Sequence, residues 1–202
     1  LFSLRLFAAP ATIEVQTDQP GAAFSPTMHG IFFEDINYAA DGGLYAELVQ
    51  NRSFEHREQL YAWQEVKRGG VGELAIATEQ PVHPNNPNYV RLKITSPGEG
   101  FGVANSGFDG IAVEQGKDYL FALHARSGGG FPGELVARLE DATGKNLGET
   151  RFKSIGPDWQ RHEARIPSTA TTDKARLVLV GTAAGTLDLD VVSLFPKDTF
   201  KG

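Results

Sequence analysis

Two adjacent carboxylates, Glu34 and Asp35, mark the point of this 202-residue chain where functional chemistry is most expected. They follow residues 28–33, a short apolar run that predicts a buried strand, and the end of a strand is where many scaffolds present functional side chains. Paired carboxyl groups can act as acid and base, but successive residues of a strand point to opposite faces of the sheet. Glu34 and Asp35 are therefore not expected to form a catalytic pair.

The elements around these carboxylates predict the opening of a β/α unit. Residues 37–43 have the composition of a loop, and Asp41 is suited to cap the start of a helix. Apolar residues then recur at helical spacing, at Leu44, Tyr45, Leu48 and Val49. Further upstream, residues 12–16 alternate in character and predict a short strand.

From Trp63 onward the pattern changes to short strands separated by clusters of Gly, Pro and Asn. The strand-like segments are residues 71–78, 89–94, 119–125, 135–139, 150–153, 159–166, 176–180 and 187–191. Eight to ten strands at this spacing, without a long helical period after Gln50, predict an all-β protein built as an antiparallel β-sandwich. Residues 101–110 are rich in Gly with Asn and Asp, which fits either a binding loop or a plain hairpin.

Composition and charge argue against several classes of partner. The formal net charge is −6 and the sequence pI is about 5.4, which disfavours nucleic acid and anionic membranes as partners. No apolar run approaches the ~20 residues that cross a bilayer. The chain has no cysteine, so it has neither disulfides nor thiolate metal sites. A neutral polysaccharide requires no opposite charge and is compatible with this composition.

Residues 25–55 resemble a known family. They contain GIFFEDIN followed by DGGLYAELVQNRSFE, which is similar almost word for word to the start of the glycoside hydrolase family 51 alpha-L-arabinofuranosidases. The resemblance implies that residues 28–33 are the first strand of a TIM barrel, which is incomplete in this chain. It also implies that Glu34 helps to hold the arabinofuranosyl unit, with Asn37 as a further substrate-binding residue. A capping or surface role is the alternative for Glu34.

The second part of the chain is similar to carbohydrate-binding modules of the family 4/9 type, which are jelly-roll-like β-sandwiches. The pieces that carry this resemblance are residues 51–55, Trp63, residues 89–92, residues 116–119, Trp159 and residues 189–194. In relatives of the arabinofuranosidase family such a module is inserted after the first barrel strand. The resemblance therefore implies a β/α segment of the barrel at residues 1–50, the sandwich at residues 51–195 and a return linker at residues 196–202.

Four side chains of the sandwich are candidates for ligand or metal binding. Sugar rings stack on exposed aromatic faces, so Trp63 and Trp159 are candidate substrate contacts, although core packing is the expected alternative for both. Glu55 and Asp190 match the positions where the module resemblance places ligands of a structural Ca²⁺, an ion that prefers oxygen ligands. A hydrogen-bonded carboxylate is the alternative at these two positions. No cofactor is otherwise required.

The activity that these resemblances imply belongs to a larger polypeptide. Retaining glycosidases use two carboxyl groups about 5–5.5 Å apart, and in family 51 both are glutamates on later barrel strands that this chain does not match. A complete barrel needs about 250 residues. We therefore expect this chain to contain no catalytic residue and to be inactive alone, whereas its parent hydrolyses terminal arabinofuranosyl groups of arabinoxylan or arabinan with retention.

The expected partners are an arabinose-containing polysaccharide or oligosaccharide and the missing catalytic barrel of the same polypeptide. One alternative is a free-standing, non-catalytic sandwich that binds polysaccharide or acts as a structural spacer. Another is a sandwich that has lost sugar binding and only braces the barrel.

The first residues predict a cellular location. Residues 1–11 are apolar and end in Ala-Pro-Ala, which is typical of the end of a signal peptide. This predicts a signal-peptide remnant and a secreted or periplasmic protein, with an ordinary strand as the alternative.

Overall fold

The computed structural model describes residues 12–199 except 20, 29 and 31. It divides into two compact units, Leu1–Glu34 and Asp35–Gly202, of which the second contains every strand that is described. The described residues of the first unit form no helix or strand, and the apolar side chains of Ile13, Met28 and Phe32 are largely exposed. Over the described ranges, no helix is long and apolar enough to cross a membrane.

The strands predicted before residue 34 are not formed in the described part of the chain. Residues 12–16 and the described members of residues 28–33 pair with no other strand, whereas positions 29 and 31 lie outside the described residues. A strand is stable only when its backbone groups pair with a neighbour, so an apolar run alone does not produce one. The predicted signal-peptide remnant at residues 1–11, and residues 200–202 of the predicted linker, also lie outside the described residues.

The helix predicted downstream of the two carboxylates is absent. Residues 39–45 form tight turns instead, and the following residues run extended along the sandwich. There the Leu48 backbone amide donates a hydrogen bond of 2.9 Å to the Leu194 carbonyl oxygen. Val49 is buried in the sandwich core whereas Leu44 is 81% exposed. The apolar residues at helical spacing therefore do not share one buried face, which is what an amphipathic helix requires.

Among the described residues, eleven strands form a two-layer antiparallel β-sandwich, which confirms the predicted fold class. The strands are β1 (Trp63–Lys67), β2 (Val71–Ala77), β3 (Tyr89–Ser96), β4 (Phe101–Asn105), β5 (Ile111–Val113), β6 (Asp118–Ser127), β7 (Leu135–Glu140), β8 (Asn146–Phe152), β9 (Gln160–Pro167), β10 (Thr172–Gly181) and β11 (Gly185–Pro196). One sheet has the order β1-β4-β10-β7-β8, with β5 pairing with β10, and the other has the order β2-β3-β11-β6-β9. The core is built from the inward-facing apolar side chains of both sheets.

The Gly-rich residues 101–110 do not form a hairpin of two strands that pair with each other. Their first half is β4, which is buried at every residue and lies between β1 and β10. A Cβ atom on Gly102 would lie 1.9 Å from the carbonyl oxygen of Leu179 in β10. Glycine is required by this close approach of two backbones, which explains why a composition typical of loops occurs inside a sheet.

Strand β11 changes the phase of its alternation at a bulge around Val191. Its register with β6 shifts between Asp190 and Ser193, and Val191 has a φ of 47°. Leu189 packs in the core before the bulge and Val192 packs there after it. The predicted strand at residues 187–191 lies within β11, but its alternation does not continue past Asp190, because an extra residue in one strand re-aims the side chains that follow.

Candidate functional site

A groove crosses the outer face of the five-stranded sheet, on the side away from the core. It has a volume of about 610 Å³ and lies over β11, β6 and β9, with one wall from the segment that precedes β1. The side chains along it are Tyr45, Arg52, Leu120, Ala122, His124, Arg161, Glu163, Arg165, Val191, Ser193 and Phe195. It combines apolar surface with hydrogen-bonding groups, which is typical of sites that bind small ligands.

The strand register arranges the groove residues in rows across the sheet. Ala122 of β6 lies opposite Ser193 of β11 on one side and Glu163 of β9 on the other. The next row pairs His124 with Arg161. Because Ala122 and Ser193 have small side chains that point outward, their row forms the floor of the groove.

The end of the groove away from His124 is apolar and aromatic. Phe195 and Leu120 lie opposite each other on β11 and β6, and the Tyr45 ring meets Phe195 edge-to-face with ring centroids 5.2 Å apart. Leu120 and Tyr45 are 43% and 47% exposed. Apolar surface of this kind is suited to the C–H faces of a sugar ring.

One wall of the groove is fixed by a buried carboxylate, Glu47. Its Oε1 accepts hydrogen bonds from two backbone amides at 2.8 and 2.9 Å, and its Oε2 accepts one from the Ser193 hydroxyl at 2.7 Å. Burial raises the pKa of Glu47, although these hydrogen bonds oppose the shift. Arg52 Nη1 lies 3.7 Å from Glu47 and donates to the Tyr45 hydroxyl at 2.9 Å. Glu47 therefore holds both the floor and the wall in place.

The other half of the same sheet face is filled by two arginines around one buried aspartate. Asp188 accepts hydrogen bonds from Arg91 Nε (2.7 Å) and Arg126 Nε (2.8 Å), and the Tyr89 hydroxyl accepts one from each guanidinium group. The Trp159 ring covers Arg126, with the guanidinium carbon 4.6 Å from the ring centroid. These groups satisfy one another, so this half of the face is a packed platform rather than an open site.

Neither of the two predicted tryptophans lines the groove. Trp63 is 5% exposed, its Nε1 donates to the Asn51 carbonyl oxygen at 2.9 Å, and its ring packs against Phe54. The prediction of Trp63 as a sugar contact was therefore wrong, and the alternative of core packing is what the structure has. Trp159 is half-buried and donates from Nε1 to the Gln80 carbonyl oxygen at 2.8 Å. Its role in sugar binding stays a prediction.

Sequence analysis did not identify the charged residues of the groove, although one pattern pointed to them. Arg161, Glu163 and Arg165 alternate in β9 with the less exposed His162 and Ala164, as expected of a strand with one solvated face. That alternation shows which side chains reach the outer face. It does not show that residues 45–52 cross over β11 and turn the face into a groove.

Comparison with known proteins finds one group of relatives over most of the chain. No protein-family model matches. An extracellular exo-alpha-L-arabinofuranosidase from Streptomyces chartreusis is 40% identical over 198 residues, which cover 94% of this chain and 22% of that protein. A solved structure of an arabinose-bound GH51 alpha-L-arabinofuranosidase is 31% identical with a TM-score of 0.73, covering 84% of this chain and 29% of that one. The chain is homologous to a part of the alpha-L-arabinofuranosidases.

The arabinofuranosidase resemblance noted in the sequence is thereby confirmed, and the chain spans less than a third of the length of these relatives. The sandwich itself also has the fold of carbohydrate-binding modules. The CBM22-1 xylan-binding domain from Paenibacillus barcinonensis has a TM-score of 0.54 at 14% identity, covering 76% of this chain and 96% of that one. At this identity the likeness concerns the fold alone.

The two residues for which the arabinofuranosidase resemblance implies substrate binding belong to different units. Glu34 ends the first unit and Asn37 lies in the second, and both side chains are exposed. Asp35 has a structural role, because its Oδ1 accepts a hydrogen bond of 3.0 Å from the Ala40 backbone amide and so stabilises the turn. The substrate contacts of Glu34 and Asn37 stay predictions.

The two predicted calcium ligands, Asp190 and Glu55, lie near each other. Asp190 is fully buried; its Oδ1 accepts a hydrogen bond from the Val191 amide at 2.7 Å, and its Oδ2 has no hydrogen-bond partner among the described residues. Burial, reinforced by the Glu55 carboxylate and opposed by the Asn86 side chain, raises the pKa of Asp190 to about 7. Glu55 accepts hydrogen bonds of 2.8 and 2.6 Å from the backbone and side-chain amides of Asn88.

Proposed function

We propose that this chain is a non-catalytic, carbohydrate-binding module within an alpha-L-arabinofuranosidase polypeptide, and that it binds arabinose-containing polysaccharide or oligosaccharide. The whole polypeptide would hydrolyse terminal arabinofuranosyl groups of arabinoxylan or arabinan with retention, using carboxylates outside this chain. The observation that carries the proposal is the groove on the outer face of the five-stranded sheet. The homology of the chain to arabinofuranosidases and the carbohydrate-binding-module fold of the sandwich support the assignment.

The groove has the features that a neutral sugar requires. The apolar end formed by Tyr45, Leu120 and Phe195 is suited to pack against the C–H face of a ring, while polar side chains along the edges hydrogen-bond its hydroxyl groups. Its volume of about 610 Å³ is within the range of small-ligand sites.

We also propose that a structural Ca²⁺ binds at Asp190 and Glu55. The test of fit is the Oδ2 atom of Asp190, a buried carboxylate oxygen that accepts no hydrogen bond from the described residues. The Asn86 side chain also lies near Asp190, and carboxylate, amide and backbone carbonyl oxygens are the ligands that Ca²⁺ prefers. No group of three or more His, Asp or Glu side chains suited to a metal occurs in the described ranges, so backbone carbonyls and water would supply the remaining ligands. The ion would tie the segment before β1 to β11.

The location that we propose is outside the cytoplasm. The Streptomyces chartreusis relative is named as extracellular, and plant polysaccharides are too large to enter a cell intact. A signal-peptide remnant at residues 1–11 stays part of this proposal.

A second candidate function is that the sandwich braces the catalytic part of the polypeptide. It is favoured by the exposed apolar patch where residues 43–46 and 195–199 come together on either side of Leu120. Leu44 is 81% exposed there and Leu120 is 43% exposed, and an apolar patch that joins the two ends of a module is suited to contact the rest of the polypeptide.

Isothermal titration with arabinoxylan and arabino-oligosaccharides, run beside a release assay on an aryl arabinofuranoside, tests the proposal. Ala122→Phe fills the floor of the groove from the outer face and should abolish binding. Ala75→Phe, on β2 at the far side of the same face, is the matched control and should bind like wild type. Neither the wild type nor the two variants should release arabinose. Release by the wild type would contradict the proposal. Absence of binding by the wild type would favour the bracing function.

A further inference from the structure

The groove carries positive charge in a protein that is otherwise acidic. The chain has a formal net charge of −6, yet the ionisable side chains that line the groove are three arginines, one histidine and one glutamate. Positive charge in a concave site attracts anions selectively. We propose that the groove selects polysaccharides that bear uronic acids, whose carboxylates pair with its arginines. This inference rests on the proposed sugar-binding function and names the ligand class more closely.

Arg165 is the most available of the three arginines. Its side chain is 62% exposed, and the carboxylate nearest to it is Asp118 at 3.8 Å, which is at the limit of an ion pair. The side chain extends outward from β9 opposite Leu120. A ligand carboxylate above the apolar end of the groove would therefore meet a guanidinium group whose fork of donors is not occupied by a close protein carboxylate.

Arg161 forms an ion pair with Glu163 that a ligand carboxylate can replace. It lies 2.7 Å from Glu163, and both side chains are about three-fifths exposed. Ion pairs between exposed side chains contribute little to stability, so a ligand carboxylate can displace Glu163 at little cost. Arg52, which is 43% exposed, donates a hydrogen bond to the Tyr45 hydroxyl and lies 3.7 Å from the buried Glu47.

Arginines elsewhere on the two sheets show the contrast. Arg91 and Arg126 are bound to Asp188, which is 1% exposed. Arg68, which follows β1, and Arg176 of β10 are bound to Glu140, which is fully buried. Each of these pairs of arginines surrounds a buried carboxylate of the protein. Of the groove arginines, Arg52 lies 3.7 Å from the buried Glu47, whereas Arg161 and Arg165 face carboxylates that are 60% and 32% exposed.

The chemistry of the proposed ligand follows from these groups. Arginine binds a carboxylate through two parallel N–H···O bonds, which are stronger than bonds to neutral hydroxyl groups. Galacturonate units of pectin and glucuronate side groups of xylan share this carboxylate, and both polymers also carry arabinose. Binding through exposed charges should weaken with salt, whereas stacking on Tyr45 and Phe195 should not.

The experiment is isothermal titration of this chain with polygalacturonate, with glucuronoarabinoxylan and with the same two polymers after chemical reduction of their carboxyl groups. Each titration is repeated at about 20 mM and about 500 mM NaCl. The test variant is Arg161→Gln combined with Arg165→Gln. The control is Arg151→Gln, an arginine that is 42% exposed on β8 of the other sheet.

We expect at least one acidic polymer to bind at least about tenfold more tightly than its reduced form, with the preference lost at high salt and in the double variant but kept in the control. Preference for one acidic polymer identifies galacturonate or glucuronate as the source of the carboxylate. Equal binding of acidic and reduced polymers overturns this inference and leaves the proposed sugar-binding function intact. Acidic binding that the double variant retains also overturns it, because the charge would act elsewhere. Absence of binding to all four polymers overturns both.

Discussion

Replacing Asp190 with asparagine is expected to change how the stability of the sandwich depends on pH and calcium. The substitution keeps the shape of the side chain and the oxygen that accepts the Val191 amide. It removes the negative charge from a side chain that is fully buried, with an Oδ2 atom that accepts no hydrogen bond in the described part of the chain. The variant therefore isolates the cost of burying this charge.

The magnitude follows from the pKa of Asp190. Folding raises this pKa from its ordinary value of 3.8 to about 7, and each unit of pKa corresponds to about 1.4 kcal/mol. The folded state thus binds this proton more tightly than the unfolded state does. The free energy of unfolding consequently falls as the pH rises from about 4 to 7, by up to about 4 kcal/mol when no cation is bound.

Two half-buried histidines give the stability a pH dependence of their own, which decides how the result is read. Burial lowers the pKa values of His124 and His162, so the stability that depends on their neutral forms is lost as the pH falls. Their effect has the opposite slope to that of Asp190. The informative quantity is therefore the difference between wild type and Asp190→Asn at each pH.

Urea unfolding at pH 5 and pH 7.5, with EDTA or with saturating CaCl₂, measures this difference. In EDTA at pH 7.5, the free energy of unfolding of the variant should exceed that of the wild type by up to about 4 kcal/mol. At pH 5 this difference should be smaller. Calcium should raise the free energy of unfolding of the wild type at pH 7.5 and raise it less at pH 5. Its effect on the variant should be the smallest of the three. Asp173→Asn, at an exposed position on β10 of the other sheet, should leave both dependences unchanged.

Two outcomes would refute different parts of this reasoning. Equal free energies of unfolding for both proteins at pH 7.5 in EDTA would mean that Asp190 is not an uncompensated buried charge. A variant that is more stable than the wild type in EDTA, combined with no effect of calcium on the wild type, would support the buried charge of Asp190 and contradict the proposed calcium site.

Further substitutions test the packing of the sandwich by chemical denaturation. Trp63→Ala should lower the free energy of unfolding by about 3–5 kcal/mol because a buried indole and its hydrogen bond are lost; an equal loss for half-buried Trp159→Ala would contradict the contrast between them. Asp188→Asn should cost about 3–5 kcal/mol because two guanidinium groups lose their buried counter-charge, and a loss below about 1 kcal/mol would mean that they are solvated. Gly102→Ala should cost at least about 2 kcal/mol, whereas Gly156→Ala, with nothing within 4 Å, should change stability by less than about 0.5 kcal/mol. Similar costs at both glycines would refute the close approach of β4 and β10.

The strands that have one buried and one outer face were predictable from sequence. Residues 89–94 and 119–125 were predicted as strands and lie within β3 (Tyr89–Ser96) and β6 (Asp118–Ser127). Their alternation is a local consequence of burying one face, so it can be read without knowing the partner strand. Strand β4 was not predictable in this way because both of its faces are covered, which removes the alternation.

The segment before β1 could not be predicted from its local pattern. Leu44 and Val49 suggested one face of a helix, but the chain uses them differently, with one exposed and the other in the sandwich core. What decides the conformation of this segment is its pairing with β11, which is far away in sequence. The Val192 amide donates to the Arg52 carbonyl oxygen at 2.9 Å, and such long-range bonds override local propensity.

The same limit applies to the candidate sites. Asp190 and Glu55 were proposed as ligands by resemblance, and the structure places them near each other. The arginines of the groove could not be proposed, because exposed arginines are common and a strand does not reveal what lies over it. The contrast between Arg165 and a platform arginine such as Arg126 depends on where a buried carboxylate lies in the folded chain, which alternation does not encode.

The bulge at Val191 links the proposed calcium site to the groove. Before the bulge, the even-numbered residues Asp188 and Asp190 of β11 lie on the outer face. After it, the odd-numbered residues Ser193 and Phe195 lie on that face. Without the extra residue, Val192 would stand on the outer face and Ser193 would be turned into the core. The bulge thus creates both a buried carboxylate without a full set of partners and a low, polar floor beside an aromatic ring. The sequence of β11 is consistent with this, because two adjacent valines interrupt its alternation of leucine and aspartate. A cation that fixes Asp190 should therefore also fix the register of the groove floor, so that ligand affinity and calcium occupancy rise together.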